Sequence, residues 1–182
     1  MKYTIKNLLA EKAQGKKRKH LYFWGHQPSR DASINKSCLS QWWEQPFEVE
    51  GITYQTAEHW MMAGKAKLFN DTEILEKIIA SSHPHQAKKF GRQVRNFDQK
   101  IWEAHRYQIV LDGNLHKFGQ EEVLKDYLLS TGNSIMVEAS PVDAIWGIGM
   151  AADHPNAGDM EQWKGLNLLG FALMEVRDLL RE

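Results

Sequence analysis

Apolar side chains recur at helical spacing through most of the chain. Between Tyr3 and Gln14, Ile5, Leu8 and Leu9 stand among Lys and Glu as in a short amphipathic helix, which Gly15 is placed to end. Thr56 is a good N-cap for a helix carrying Trp60, Met61, Ala63 and Leu68, and Asp71 caps the next, over Ile74 to Ala80. Pro84 suits the first turn of a helix reaching Lys89 or Phe90, ahead of Gly91. Ile101, Trp102, Ile109, Val110 and Leu111 predict a long helix from Asp98 toward Phe118, weakened locally at Gly113. Glu121 to Leu129 predicts a further helix ending near Gly132, and Leu168 to Leu180 the last.

Strand signals are few. Leu21 to Trp24 is short and aromatic, Phe47 to Tyr54 alternates around Glu50-Gly51 like a compact hairpin, and Ile135 to Glu138 is a third candidate. The expected fold is therefore mainly α, an α+β arrangement with a small β component near the N-terminal third. A length of 182 residues suits one domain, expected over residues 20–182, with residues 1–19 as an N-terminal helix and basic connector. Gly147 to Gly165 is glycine-, proline- and polar-rich and too long for a plain connector, so function is expected there.

Composition narrows the classes. Lys+Arg and Asp+Glu both number 23, so no global basic field recruits nucleic acid or an acidic membrane. Polyanion binding must be local, and the run Lys16 to Lys19 is either a solvated connector or a phosphate patch, the latter only beside a pocket. A single cysteine, Cys38, excludes an internal disulfide framework and zinc sites built on several thiolates, and is read as a buried or spectator thiol. The first residues have neither the apolar core nor the cleavage site of a secretory signal, and no window approaches about 18 apolar residues. A cytoplasmic protein without a membrane partner is expected.

Two acids stand out. Glu58 follows the cap Thr56 by two residues, in the first helical turn, where unpaired N–H groups and the positive dipole end favour an anion. That placement is also an ordinary helix-stabilising one. Its neighbours Tyr54, His59, Trp60 and Lys65 supply aromatic faces, an imidazole and a cation, and Met61 and Met62 share its helix face. Asp143 is either the acidic end of a capping box begun at Ser140-Pro141, or part of a pocket in which Trp146 supplies a stacking surface and Gly147 and Gly149 let backbone approach a ligand. Lys164-Gly165-Leu166-Asn167 adds a cation and an amide before the last helix, whose N-terminus is a candidate phosphate site. His83-Pro84-His85 lacks a third ligand at a recognised spacing, so no metal is expected. Gly147, Gly149 and Gly165 form neither a dinucleotide fingerprint nor a P-loop, and no coenzyme is expected.

From Tyr22 onward the chain resembles the NADAR (NAD and ADP-ribose) family, also called YbiA-like. The resemblance rests on Phe23-Trp24-Gly25-His26, Leu39-Ser40-Gln41-Trp42 leading to Phe47, and Tyr54 to Met62 (YQTAEHWMM) with Lys65. Gly91-Arg92, Trp102, Asp143 with Trp146-Gly147 and Gly149, Lys164 to Gly170 (KGLNLLG) and Met174-Glu175-Val176-Arg177 continue it in order. It implies an N-glycosidase that cleaves a C1′–N bond between a phosphorylated ribose and a nitrogenous group. In the riboflavin branch of the family, 5-phosphoribosylamino-pyrimidine intermediates give ribose 5-phosphate and an aminopyrimidine; other members remove ADP-ribose from guanine in nucleic acid. A non-catalytic module that binds ADP-ribose is the alternative of a different class. The family's functional positions fall on Glu58, Trp102, Asp143 and Trp146. Trp60 stands where the riboflavin branch often has Tyr, and Met62 where it can have Gln, departures that bear on substrate identity.

The implied chemistry agrees with the residues. Glycosidic cleavage passes through an oxocarbenium-like state, which two carboxylates can stabilise while one acts on water or on the leaving nitrogen. Glu58 and Asp143 are the expected catalytic pair. Trp102 and Trp146 are expected to pack on ring or base, and Lys65, Arg92 or Lys164 to hold phosphate, with Gly147, Gly149 and Asn167 completing the binding set. The expected partner is a small phosphorylated ribosyl substrate, with nucleic acid as the alternative.

Overall fold

The structure, a computed structural model, describes residues 1–31 and 33–181, so the expected domain end at Glu182 lies outside them. Along the chain run α1 (Ile5–Ala13), β1 (His20–Phe23), β2 (Phe47–Val49), β3 (Ile52–Tyr54), α2 (Ala57–Leu68), α3 (Thr72–Ala80), α4 (Pro84–Gly91), α5 (Gln99–Gln120), α6 (Glu122–Ser130), β4 (Ile135–Glu138) and α7 (Leu168–Leu179), with 3-10 turns at Lys36–Leu39 and Met160–Gln162. The helical pattern of the sequence is thus realised nearly residue for residue. Contacts group the chain into two compact units, residues 1–40 with 123–182, and residues 41–122.

In the first unit β1 and β4 pair in parallel, His20 opposite Ile135 and Phe23 opposite Glu138. Phe23, Met136 and Val137 are buried, and α7 packs on β4 through a face almost wholly buried from Leu168 to Val176. Arg177, also buried, donates from one guanidinium nitrogen to the Thr131 hydroxyl and the Ser134 carbonyl, both at 3.0 Å, and so holds the turn that leads into β4. Burial pushes its pKa down, with nearby Arg181 adding to the effect. The N-terminal helix is tied to the same element: the Tyr3 hydroxyl donates to Asp178 at 2.6 Å, and Lys2 pairs with that carboxylate at 2.6 Å. Cys38 is buried, as expected.

In the second unit β2 and β3 form the expected hairpin, with Glu50 and Gly51 at φ 53° and 75°, the two left-handed residues a tight two-residue turn requires. Trp60 joins that hairpin to α5. Its ring stands 4.9 Å from Tyr54 and 6.1 Å from Phe47, and its indole N–H donates to the Ile109 carbonyl at 2.8 Å. A Cβ at Gly113 would overlap the Trp60 ring, so the glycine that looks like a weak point in α5 is what lets the indole lie against it. Asp71 caps α3 and accepts from two of the three Arg95 side-chain nitrogens, Nη2 at 2.5 Å and Nε at 3.0 Å, which holds its carboxyl well below the usual range.

Candidate functional site

Glu58 is buried at 2 % exposure in the first turn of α2, and its backbone N–H donates to the Gln41 carbonyl at 3.0 Å. The Gln41 side-chain oxygen accepts from Asn114 at 2.8 Å, and Asn114 also reaches the Val110 carbonyl at 2.8 Å. A buried amide chain thus fixes the start of α2 against α5. The Thr56 hydroxyl meets His59 Nδ1 at 2.8 Å while His59 Nε2 meets the Ser81 carbonyl at 3.1 Å. A carbonyl only accepts, so Nε2 carries the proton and Nδ1 accepts from Thr56. Burial and nearby His83 keep this imidazole neutral by pushing its pKa down, against a smaller opposing effect of the Ser81 bond. Of the side chains expected around Glu58, Tyr54, His59 and Trp60 are therefore spent on packing and bracing.

Lys65, two turns along α2, donates to the Gly91 carbonyl at 2.8 Å. Its ammonium stands 4.2 Å from the centre of the Phe97 ring and 5.8 Å from that of Trp102. Burial lowers its pKa first, and the charge of Arg92, the residue after Gly91, adds to this; Trp102 is half-buried. The structure thus brings Lys65 to Phe97 and Trp102, with Arg92 one residue beyond the carbonyl that Lys65 holds. Met62 packs on Gly91, where a Cβ would collide with its sulfur, so the methionine at that position serves the α2–α4 contact.

In the first unit no helix follows Ser140-Pro141, which overturns the capping-box reading of Asp143. Asp143 instead organises a tight loop. Its Oδ1 accepts from the backbone N–H groups of Ile145 and Trp146, both at 2.8 Å, and its carbonyl accepts from Gly149 at 3.1 Å. Oδ2 takes no hydrogen bond from the described residues. Trp146 is half-buried beside it, and Val142, Ile145 and Leu166 are exposed apolar side chains on the same pair of segments.

Residues 144–148 are laced to 164–169. Leu166 N donates to Ala144 O, Asn167 N to Gly147 O, Leu168 N to Ile145 O and Leu169 N to Trp146 O, at 3.0–3.2 Å. The N–H groups that open α7 are therefore already satisfied by carbonyls, which corrects the expectation of a phosphate site at that helix N-terminus. Gly147 is likewise a packing residue, since a Cβ there would stand 2.7 Å from the Glu138 carbonyl. Asn167, fully buried at φ 54°, accepts from Glu138 N at 3.0 Å and donates to Met136 O at 2.9 Å. Both of its amide atoms are engaged with β4, so it braces the loop where the sequence suggested a ligand contact. Gly149 has φ 68° and Lys164 is exposed. Phe97, Gln41 and Asn114 escaped the reading of the sequence: Gln41 was visible inside a motif, whereas nothing local marks Phe97 or Asn114.

A family model for the NADAR domain matches residues 22–181. The chain belongs to the NADAR family. It is 41% identical over 165 residues to N-glycosidase R617 of Acanthamoeba polyphaga mimivirus, covering 88% of this chain and 95% of that one. To N-glycosidase YbiA of Escherichia coli (strain K12) it is 34% identical over 135 residues, covering 74% and 76%. The NMR structure of E. coli YbiA superposes with a TM-score of 0.72 at 29% identity, covering 91% of this chain and 87% of that one. The fold is thus mainly helical and YbiA-like, as expected.

Proposed function

We propose that this N-glycosidase, a hydrolase of N-glycosyl bonds, acts on the C1′–N bond of phosphoribosylamino-pyrimidine intermediates of riboflavin biosynthesis and releases ribose 5-phosphate. The observation that carries this substrate class is Lys65 beside the Trp102 ring, with the Arg92 charge felt at its ammonium. A pair of cations suits a dianionic phosphoryl group, and an indole beside Lys65 suits a flat ring or sugar face. The zero formal charge of the chain favours a small substrate over a long polyanion.

Water supplies the only co-reactant. As the C1′–N bond breaks, its electron pair leaves with the nitrogen, which takes up a proton, and water adds its oxygen to C1′ while losing one. Glu58, held in the first turn of α2, stabilises the positive charge developing at C1′ and takes the proton from water. Asp143 has one oxygen committed to its loop and offers the other to the ribose hydroxyls or the departing group, with Trp146 beside it. Lys164 and the backbone at Gly149 complete the contacts, while Gly147 and Asn167 hold the loop in shape. We place the enzyme in the cytoplasm; no helix of the described residues is long and apolar enough to cross a membrane.

Product analysis by mass spectrometry tests the proposal, with wild-type and Glu58→Gln protein incubated with the phosphoribosylamino-pyrimidines and, separately, with DNA carrying ADP-ribosylated guanine. Ribose 5-phosphate from the first substrate, lost in the variant, supports it. Release of ADP-ribose from the second alone refutes the substrate assignment, and tight binding of ADP-ribose without any product refutes catalysis.

A further inference from the structure

A cavity of about 520 Å³ opens in the first unit among α1, residues 15–18, the start of β1 and the segment before the second 3-10 turn. None of the residues proposed for the glycosidic chemistry lines it. Its walls are of two kinds. Leu8, Ile135 and Met160 are apolar and otherwise nearly fully buried. Around them stand Lys12, Lys16, Lys17 and Arg18, against the single carboxylate of Glu11.

That makes a surplus of three positive charges (four cations less one acid) at one cavity in a chain of zero formal charge. Glu11 does not cancel the rim but shapes it, holding Arg18 at 2.8 Å and Lys16 at 3.6 Å. The arrangement is anchored, because Leu8 is buried beneath α1 and Tyr3 fixes the start of that helix to Asp178. His20, also on the lining, has its pKa pushed down chiefly by burial and then by Lys12. There is room as well: a Cβ at Gly15 would meet nothing within 4 Å, and one at Gly158 only the Tyr22 hydroxyl at 3.8 Å. An apolar floor with a cationic rim, in the size range of small-molecule sites, selects an anion with an apolar or planar body.

We propose that this cavity is a second binding site, for a small organic phosphate of the nucleoside-monophosphate kind, with its phosphate against Lys12, Lys16 and Arg18 and its planar body against Leu8, Ile135 and Met160. The basic run that the sequence left between connector and phosphate patch is, on this view, the phosphate-holding part of the pocket.

The experiment is a titration of the full chain with AMP, phenyl phosphate and inorganic phosphate, read by calorimetry and by backbone amide shifts. AMP and phenyl phosphate are expected to bind with Kd below about 1 mM and to shift the amides of Gly15, Ile135 and Gly158. In Lys12→Ala/Lys16→Ala, two exposed positions, affinity is expected to fall about ten-fold or more, with N-glycosidase turnover unchanged. Gly158→Phe, which fills the cavity from a position with space for a side chain, is expected to exclude both organic phosphates. Amide shifts confined to residues outside the cavity, AMP affinity unchanged in both variants, or inorganic phosphate binding as tightly as AMP would each overturn the proposal. So would DNA binding that depends on the lysines while AMP does not bind. Failure of the riboflavin-intermediate assay leaves these readouts intact, so the two proposals stand or fall separately.

Discussion

The Lys65 ammonium stands 5.8 Å from the centre of the Trp102 ring, with one hydrogen bond already given to the Gly91 carbonyl. An ammonium has three N–H donors, so the same lysine can be held in place by the protein and still present charge to a phosphoryl group. Its burial and the nearby Arg92 charge both favour losing the proton, a cost that an incoming anion relieves.

Lys65→Met is therefore expected to raise KM by about ten-fold or more while changing kcat less, because the phosphoryl contact proposed for Lys65 is of the kind made in ground and transition states alike. The pH dependence has a definite sign. With its pKa below the ordinary lysine value of 10.5, Lys65 loses its charge at lower pH than a surface lysine would, so wild-type KM should climb on the alkaline side earlier than a free lysine predicts. Steady-state kinetics across pH 7 to 10 in wild type and variant check both statements.

Two variants of Asp143 separate its loop-holding bonds from the catalytic role proposed for it. Asp143→Asn keeps a side-chain oxygen for the two amides of Ile145 and Trp146, so its melting temperature should stay near wild type while turnover falls by about 10²-fold or more. Asp143→Ala loses both bonds and should also cost about 1–3 kcal/mol of stability. Equal stability losses in the two variants would show that the loop does not depend on Oδ1.

Asn167 makes a prediction about stability alone. Asn167→Asp places an anionic oxygen against the Met136 carbonyl in a fully buried site and should cost about 3 kcal/mol or more. Asn167→Gly loses the two bonds but tolerates φ 54°, so it should be milder than Asn167→Val, which loses them and adds backbone strain. Denaturant melts of the three variants give the order directly.

His59 sets an acid limit. Its folded pKa is below its unfolded value of 6.5, so under acid the unfolded chain takes up the proton first. Stability should therefore be complete above pH 6.5 and fall as the pH drops below it, by at most about 1.4 kcal/mol per pH unit for this one proton. His20, also held neutral by burial, adds in the same direction. Comparing urea midpoints at pH 7.5 and 5.5 in wild type and His59→Gln tests it, the variant being less stable at neutral pH but with a shallower slope.

The helices, the caps at Thr56 and Asp71 and the Glu50-Gly51 turn are legible in the chain itself, because these rest on periodicity and on hydrogen bonds between residues a few positions apart, whereas the side-chain caps at Thr4 and Asp98 emerged only in the structure. The family motifs were legible for a similar reason, since each is a run of neighbours. Tertiary structure alone decided that β1 pairs with β4, a parallel ladder joining distant stretches of chain that no local pattern encodes. It also decided that His59 and Trp60 turn to the Ser81 and Ile109 carbonyls, and that the first N–H groups of α7 are spent on residues 145–147. The basic run near the N-terminus shows the divide most plainly. Its charge is written in four consecutive letters, but its place beside an apolar cavity depends on α1 burying Leu8, and burial is a property of the packed chain, not of a segment.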